Sequence, residues 1–261
     1  MKLTNNEVLI TGGTSGIGLA LAIELSKRGN KVVVIGRNND RLAAVQAEKP
    51  EILTFQGDVA DRQSLVVLQE WLPNNLPNLN IIINSAGIMK PHNLLDPDLD
   101  LDELLSDIHI NLVGTITVDK LFLPQLMRQK EAMIVNISSG LAYLSSAPHP
   151  TYSASKAGVQ MFTSALRDQL AYAHKDNVHV MELVPPLVAE TNLENGTASN
   201  SFGNMDLNDL VNVAIKGMEQ NKQRVNAGAA KMLRKMRNTA ADRTEATMAK
   251  ESLKLYFPEG L

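Results

Sequence analysis

The chain contains no cysteine among its 261 residues. Disulfides, thiolate nucleophiles and thiolate metal ligands are therefore excluded from its chemistry. Basic residues are not in excess either, because 25 Lys and Arg against 28 Asp and Glu give a formal net charge of −3. This balance offers no electrostatic basis for holding a phosphate backbone, so we expect no nucleic-acid partner.

Long apolar runs and paired histidines are also missing. No stretch approaches the roughly 20 apolar residues that span a bilayer, and the start, M-K-L-T-N-N-E, turns polar at once. We therefore expect a cytoplasmic protein without membrane association. The five histidines show no H-x-x-x-H spacing that would place two imidazoles on one helical face, so the sequence predicts no metal site.

Short β-branched runs alternate with longer stretches of helical period. The candidate strands are Val8–Thr11, Lys31–Ile35, Ile52–Gln56, Asn80–Asn84, Ala132–Ile137 and Val178–Leu183. Several are continuously apolar, which is typical of parallel strands covered on both faces, and the spacers are long enough for crossover helices. The pattern predicts an α/β doubly wound parallel sheet of six or seven strands flanked by helices. We expect one domain over residues 1–261.

The second half of the chain adds a loop and two helical stretches. Residues 192–204 are rich in turn formers, whereas 206–221 and 227–256 have helical character, the latter strongly charged. Q-R-V-N at 223–226 is a candidate seventh strand. The acidic run Asp96–Glu103 favours a solvated helix start over a metal site, because carboxylates interact favourably with a helix N-terminus.

The first strand leads into T-G-G-T-S-G-I-G, a glycine-rich turn followed by a helix. Glycine permits positive φ and close backbone approach, and a helix N-terminus attracts a pyrophosphate. The context predicts dinucleotide binding. The residues of this turn that we expect at the cofactor are Gly12, Thr14, Ser15, Gly16, Ile17 and Gly18.

Arg37 follows the second candidate strand, where dinucleotide-binding proteins distinguish their cofactors. An acid about 20 residues after the glycines takes the ribose hydroxyls of NAD, whereas an arginine there accommodates the 2′-phosphate of NADP. No acid stands at this position, so the sequence favours NADP(H) over NAD(H). The alternative is that Arg37 is an exposed turn residue without a ligand.

Tyr152 and Lys156 stand four residues apart in Y-S-A-S-K, so they share one face of a predicted helix. A free phenol has a pKa near 10, and an adjacent cation favours its ionised form. Such a pair suits proton transfer near neutral pH. By itself the spacing is a weak signal, since Tyr and Lys occur four apart on many solvated helices.

Ser139 ends the fifth candidate strand in N-I-S-S, and Asn111 lies upstream in H-I-N-L-V-G-T. Together with the glycine turn, G-D-V at Asp58 and N-S-A-G at 84–87, these motifs resemble the short-chain dehydrogenase/reductase superfamily over roughly residues 5–190. The resemblance implies the strand order 3-2-1-4-5-6-7. The double proline at 185–186 and the charged tail resemble a DltE-like branch, which implies no particular substrate.

The resemblance also implies roles for individual residues. Tyr152 would donate a proton to a carbonyl oxygen while the nicotinamide delivers hydride, and Lys156 would hold the ribose and lower the pKa of Tyr152. Ser139, favoured over Ser138, would hydrogen-bond the same oxygen, and Asn111 would organise a water chain. The remaining implied cofactor contacts are Asp58 and Val59 at the adenine, Asn84, Ala86 and Gly87 at the nicotinamide side, and Pro185 and Val188.

Three departures from the family pattern bear on these roles. Pro185-Pro186 replaces the usual Pro-Gly, and the following threonine falls one residue late at Thr191. The motif at 84–87 reads N-S-A-G in place of the family's common N-N-A-G. A closing strand with a glycine pair is missing, and a helical tail over about 227–261 stands in its place. These departures affect the contacts to the carboxamide of the cofactor and the hinge of the flap.

The implied function is NADP-dependent oxidation and reduction of a small neutral carbonyl or secondary alcohol. The substrate mouth would include Gly140–Tyr143, His149, Pro185–Val188 and a flap at about 187–205, although His149 fits an exposed loop histidine better. The alternative is a non-catalytic NADP-binding sensor or scaffold. Apolar surface on the helices around Asn111–Met127 and Tyr152–His174 predicts a homodimer or homotetramer.

Overall fold

The structure, a computed structural model, describes residues 1–188 and 205–260. These residues form a seven-stranded, fully parallel sheet in the order β3-β2-β1-β4-β5-β6-β7. The strands are β1 (Glu7–Thr11), β2 (Lys31–Gly36), β3 (Leu53–Gln56), β4 (Leu79–Asn84), β5 (Ala132–Ile137), β6 (Val178–Val184) and β7 (Arg224–Asn226). The predicted fold class and strand order are confirmed. The direction of winding reverses between β1 and β4, which opens a crevice at their carboxyl ends.

Helices cover both faces of this sheet. They are α1 (Gly16–Lys27), α2 (Asn39–Glu48), α3 (Arg62–Asn75), α4 (Leu101–Asp107), α5 (Thr115–Leu126), α6 (Pro150–Tyr172), α7 (Leu207–Glu219) and α8 (Ala230–Tyr256), with a π-helical segment at Ile108–Gly114. One apolar core lies between the sheet and α1, α2 and α7, and a second lies against α3, α5 and α6. Strands buried on both sides need continuous apolar sequence, which explains runs such as V-V-V-I in β2.

The element boundaries follow local chemistry. Q-R-V-N supplies β7, so the sheet has seven strands instead of six. The acidic run Asp96–Glu103 does contain a helix start, because Asp100 caps α4 by accepting a hydrogen bond from the Glu103 N–H at 2.8 Å. None of the helices within 1–188 and 205–260 is long and apolar enough to cross a membrane.

A third, small apolar cluster attaches α8 to the loop after β5. Tyr143, Leu144 and Leu233 are buried there, with Met236 and Met248 packed against them. The backbone of α8 is non-helical at Ala240 (φ −160°, ψ 43°), which kinks the helix. The residues beyond the kink therefore follow a different direction from those before it.

Candidate active site

One cavity of about 730 Å³ lies at the carboxyl edge of the sheet. Its wall combines the turn after β1, the end of β2, the loops after β3 to β6, helix α6 and the end of α8. Most of the residues expected at the cofactor or the reaction centre line it. They are Gly12, Thr14, Ser15, Gly16, Ile17, Arg37, Asp58, Val59, Ala86, Gly87, Ser139, Tyr152, Lys156, Pro185 and Val188. Gly18, Asn84 and Asn111 are expected there as well but lie behind the wall.

The glycine turn is shaped for a close ligand. Gly12 and Gly16 have φ values of +64° and +52°, a region that L side chains rarely adopt. A Cβ at Gly12 would lie 2.7 Å from the backbone of Ala86, and one at Gly18 would lie 2.5 Å from the Gly12 carbonyl oxygen. Gly18 thus packs α1 onto the turn, while the first turn of α1 lines the cavity. This arrangement fits a pyrophosphate.

The end of β2 places two arginines at one end of the cavity. The Arg37 side chain is 57% exposed, and its Nη1 lies 3.6 Å from Asp58 Oδ2. Arg41, in the first turn of α2, lines the same end, as does Asn38, whose Oδ1 accepts the Arg41 N–H at 2.9 Å. Sequence reasoning missed Arg41 and Asn38, although R-N-N-D-R shows both arginines one helical turn apart.

Helix α6 carries Tyr152 and Lys156, the pair expected to transfer the proton. Tyr152 and Lys156 are 5% and 6% exposed, and the Lys156 Nζ lies 5.8 Å from the Tyr152 ring centroid. The Lys156 Nζ donates to the Ile137 carbonyl oxygen at 2.9 Å, which ties α6 to the end of β5. Burial lowers the pKa of Lys156 to about 8, and the nearby charge of Asp107 opposes this shift. Lys156 and Tyr152 are thus neighbouring, largely buried side chains in the wall of the cavity.

The structure distinguishes the two serines after β5. Ser138 donates its hydroxyl to Glu182 Oε1 at 2.6 Å, and this carboxylate is fully buried. Ser139 Oγ accepts the Leu141 N–H at 3.1 Å and retains a hydroxyl hydrogen for a ligand. The geometry favours Ser139 over Ser138 as the residue that faces a reacting oxygen.

Asn111 supports the wall of the cavity from behind. It lies in the π-helical segment, a feature frequent at functional sites, and its side chain clamps the loop after β4. Its Oδ1 accepts the Ile88 N–H at 2.8 Å, and its Nδ2 donates to the Ile88 carbonyl oxygen at 2.9 Å and to Ser155 Oγ at 3.0 Å. A Cβ on Gly87 would lie 3.2 Å from Asn111 Oδ1 and 3.5 Å from Lys156 Nζ. Both ends of the Asn111 side chain bind protein, and its backbone carbonyl oxygen accepts the Thr115 hydroxyl at 2.8 Å, so its expected role in a water chain stays a prediction.

The side chain of Asn84 departs from expectation. It does not line the nicotinamide side but donates to Asp119 Oδ1 at 2.7 Å and Asn136 Oδ1 at 2.8 Å, beneath the end of the sheet. Asn136 donates to the other Asp119 oxygen at 2.8 Å. Burial raises the pKa of Asp119 to about 7 in spite of these two amides. Asn84 thus joins β4 and β5 to α5, where a polar strand residue needs buried partners.

His149 is not the exposed loop residue that the sequence favours. It is 2% exposed, its Nδ1 lies 3.0 Å from Ser146 Oγ, and its ring meets that of Tyr256 edge to face at 4.6 Å. Burial lowers its pKa to about 4, so the ring is neutral at physiological pH. His149 lines the cavity, and Tyr256 at the end of α8 packs against it.

The end of α8 is a part of the wall that sequence reasoning did not place there. Its contribution comes from Met248, Glu251, Ser252, Leu255 and Tyr256, whereas Leu233 lines the cavity from the first turn of α8. Most of the flap expected at about 187–205 lies outside the described residues, and its described members Leu187 and Val188 line the cavity. No group of three or more histidine, aspartate or glutamate residues able to hold a metal occurs in the described part of the chain.

Comparison with known proteins agrees with this geometry. The model of the short chain dehydrogenase family matches residues 6–201. The uncharacterized oxidoreductase DltE of Bacillus subtilis is 39% identical over 231 residues, which cover 86% of this chain and 89% of DltE. An uncharacterized oxidoreductase of Staphylococcus saprophyticus is 31% identical over 84% of this chain and 94% of its own. The chain belongs to the short-chain dehydrogenase family, and within that family DltE is one of its relatives.

Solved structures share the fold at low sequence identity. A short chain dehydrogenase from Burkholderia cenocepacia, in complex with NADP, has a TM-score of 0.81 at 21% identity, covering 95% of this chain and 99% of its own. A short chain dehydrogenase/reductase from Burkholderia phymatum, in complex with NAD, has a TM-score of 0.77 at 19% identity, covering 86% and 89%. These likenesses establish the fold, whereas the choice between the two cofactors depends on this chain's own residues.

Proposed function

We propose that the protein is an NADP-dependent oxidoreductase that interconverts a carbonyl compound and a secondary alcohol. One observation carries the proposal: Ser139, Tyr152 and Lys156 line the same cavity as the glycine turn after β1. If the pyrophosphate of a dinucleotide binds at that turn, the same cavity extends from it to Tyr152. A nicotinamide cofactor, when bound, supplies the hydride in reduction and accepts it in oxidation.

The protein's own residues handle the proton. In reduction, the Tyr152 hydroxyl gives its proton to the carbonyl oxygen, and in oxidation the phenolate takes it back from the alcohol. Ser139 donates a hydrogen bond to that oxygen as negative charge develops on it. The Lys156 cation stabilises the phenolate, and its bond to Ile137 holds it on the Tyr152 side of the cavity.

The preference for NADP is supported by Arg37 and Arg41. Both line one end of the cavity, and guanidinium groups bind phosphate through charge-assisted hydrogen bonds. Relatives of the same fold have been solved with NADP and with NAD, so the fold is compatible with either cofactor.

The substrate end favours a small neutral carbonyl or alcohol. Apolar side chains from Leu141, Leu187 and Met248 line the wall there, while the cavity's arginines lie at the opposite, β2 end. Two lysines line the cavity, but Lys90 Nζ lies 3.1 Å from Glu103 Oε1 and Lys156 Nζ donates to the Ile137 carbonyl oxygen at 2.9 Å. A carboxylate or phosphate substrate would therefore lose hydration and would have to compete with these partners for a cation.

Tyr152→Phe tests the proposal because it removes one oxygen atom from the cavity. The assay follows NADPH absorbance with a panel of aldehydes, ketones and secondary alcohols. We expect turnover by the wild type, a loss of about 10²- to 10⁴-fold in the variant, and NADPH affinity unchanged within about threefold, since the pyrophosphate and 2′-phosphate contacts are intact.

Two outcomes would contradict the proposal. If Tyr152→Phe retains full turnover, the tyrosine is not the proton donor. If no compound in a broad panel is turned over while NADPH raises the melting temperature, the alternative role as an NADP-binding sensor or scaffold is favoured.

We also propose that the protein acts in the cytoplasm as a homodimer or homotetramer. Support for assembly comes from exposed apolar side chains on the helices that the sequence singles out, among them Val113 at 48% and Met161 at 68% exposure. Light scattering with size-exclusion chromatography distinguishes the two states, and a monomer at micromolar concentration would contradict both.

A further inference from the structure

The last nine residues of α8 present one continuous face to the active-site cavity. Met248, Glu251, Ser252 and Leu255 line it, at spacings of three and four residues, and Tyr256 follows. This spacing places the side chains in one row along a helix. Resting on the proposed function, we propose that this face is the substrate-selecting wall, and that Tyr256 and Leu255 limit the site to compact neutral carbonyl compounds.

The wall is anchored to the loop that carries the catalytic serine. Beyond the kink at Ala240, Met248 packs against the cluster around Tyr143 and Leu144. Glu245 Oε1 accepts the Ser145 N–H at 2.7 Å, a polar contact between α8 and the same loop. Since Ser139 begins this loop, the loop and α8 form one packed unit at the substrate end.

Tyr256 also contacts the start of the catalytic helix. Its ring lies 4.6 Å from that of His149 at an interplanar angle of 87°, an edge-to-face arrangement. His149 directly precedes α6 and lies three residues before Tyr152. Its hydrogen bond with Ser146 and its burial give the ring a fixed position. The Tyr256 ring is therefore held at a set distance from the reacting centre.

The chemistry of the wall indicates what it accepts. Met248, Leu255 and the Tyr256 ring offer apolar surface to the chain or ring of a carbonyl compound. Glu251 adds a carboxylate that repels an anionic substrate. A hydrophobic wall discriminates by size, with roughly 10- to 200-fold in rate for each methylene group that fits or fails to fit.

The experiment compares kcat/KM for two neutral aldehydes, propanal and a bulky naphthaldehyde, in the wild type and in Tyr256→Ala. Removing the ring enlarges the chamber, so we expect the ratio of bulky to small substrate to rise by about tenfold or more. NADPH affinity should stay constant, because the cofactor residues lie on other elements. Tyr172→Ala is the matched control: this tyrosine is 89% exposed on α6, outside the cavity lining, and its removal should leave the ratio unchanged.

A second pair of variants covers the case in which Tyr256→Ala does not fold. Leu255 is 45% exposed, so Leu255→Ala should fold, and it should raise the ratio of bulky to small substrate several-fold. Leu95→Ala, in an exposed loop, is the control and should leave this ratio unchanged. Glu251→Gln should raise kcat/KM for a 2-oxo acid relative to the matched methyl ester, because it removes the repelling charge.

The outcomes separate this inference from the proposed function. If the wild type turns over neither aldehyde nor any other carbonyl compound, the proposed function fails. If the wild type is active and neither Tyr256→Ala nor Leu255→Ala changes the ratio, or if both variants lower the two rates equally, α8 is only a structural cover and the inference is overturned.

Discussion

The proposed preference for NADP rests on two arginines at the β2 end of the cavity. We predict that Arg37→Ala and Arg41→Ala, separately and together, weaken NADPH binding while leaving NADH binding nearly unchanged. Arg37 follows the end of β2 and Arg41 lies in the first turn of α2, and both residues line the cavity.

The expected magnitude follows from the exposure of Arg37. The Arg37 Nη1 lies 3.6 Å from Asp58 Oδ2, and the arginine side chain is 57% exposed. Such a surface ion pair contributes about 1 kcal/mol or less to the free energy of unfolding. Its loss should barely affect folding. A hydrogen bond from a guanidinium to a phosphate contributes about 1.5–3 kcal/mol, so Arg37→Ala should raise the Kd of NADPH about 10- to 150-fold. The uncompensated Asp58 carboxylate would then repel the 2′-phosphate, which favours the upper part of this range.

Isothermal titration calorimetry with NADPH and NADH measures the effect directly. The wild type should lose NADPH affinity as salt increases, and the double variant should lose less, because screening acts on the arginine–phosphate attraction. Arg62→Ala is the control, since Arg62 is exposed at the start of α3 and lies outside the cavity lining. A ratio of NADPH to NADH affinity that is the same in the double variant and the wild type would refute the assignment of the 2′-phosphate to these arginines.

Two further predictions concern buried carboxyl groups. Burial lowers the pKa of Lys156 to about 8, and the charge of Asp107 opposes this shift. Asp107→Asn should therefore lower the Lys156 pKa further, so that the lysine loses its charge at a lower pH. The alkaline limb of the pH profile of kcat/KM should then move to lower pH by about half a unit or more. A superimposable pH profile would contradict this electrostatic link. Asp119→Asn offers only one acceptor oxygen to the amides of Asn84 and Asn136, so it should destabilise the fold by about 1–3 kcal/mol at pH 5. The Asp119 pKa is raised to about 7, so its contribution to wild-type stability is full below its unfolded pKa near 4 and is lost as pH rises to 7. Urea unfolding should therefore show a cost for Asp119→Asn that is about 2 kcal/mol smaller at pH 8 than at pH 5, and equal costs would show that Asp119 is ionised at both.

Several elements could be predicted because their cause is local. The run V-V-V-I is typical of a strand covered on both faces, and β2 is such a strand. The spacing of Tyr152 and Lys156 places them on one helical face regardless of what packs around α6. Gly12 and Gly16 adopt positive φ because the turn between β1 and α1 requires it.

Other features depend on segments far apart in the chain. Nothing near His149 indicates that a helix about 100 residues later will cover it. Asn84 follows the family's motif, yet its side chain turns to Asp119 because α5 places an acceptor beneath the sheet.

The sequence by itself therefore determined the sheet, the glycine turn after β1 and the placing of Tyr152 and Lys156 on one helical face. Hydrophobic period, backbone restrictions and helix spacing all act over a few residues, so they can be recognised in the sequence alone. Only the tertiary structure decided what surrounds the reacting centre: the burial of His149, the placement of Asn84 and the wall formed by the end of α8. Those depend on which distant surfaces pack together, and the kink at Ala240 that directs this helix toward the site has no local sequence signature such as proline or glycine.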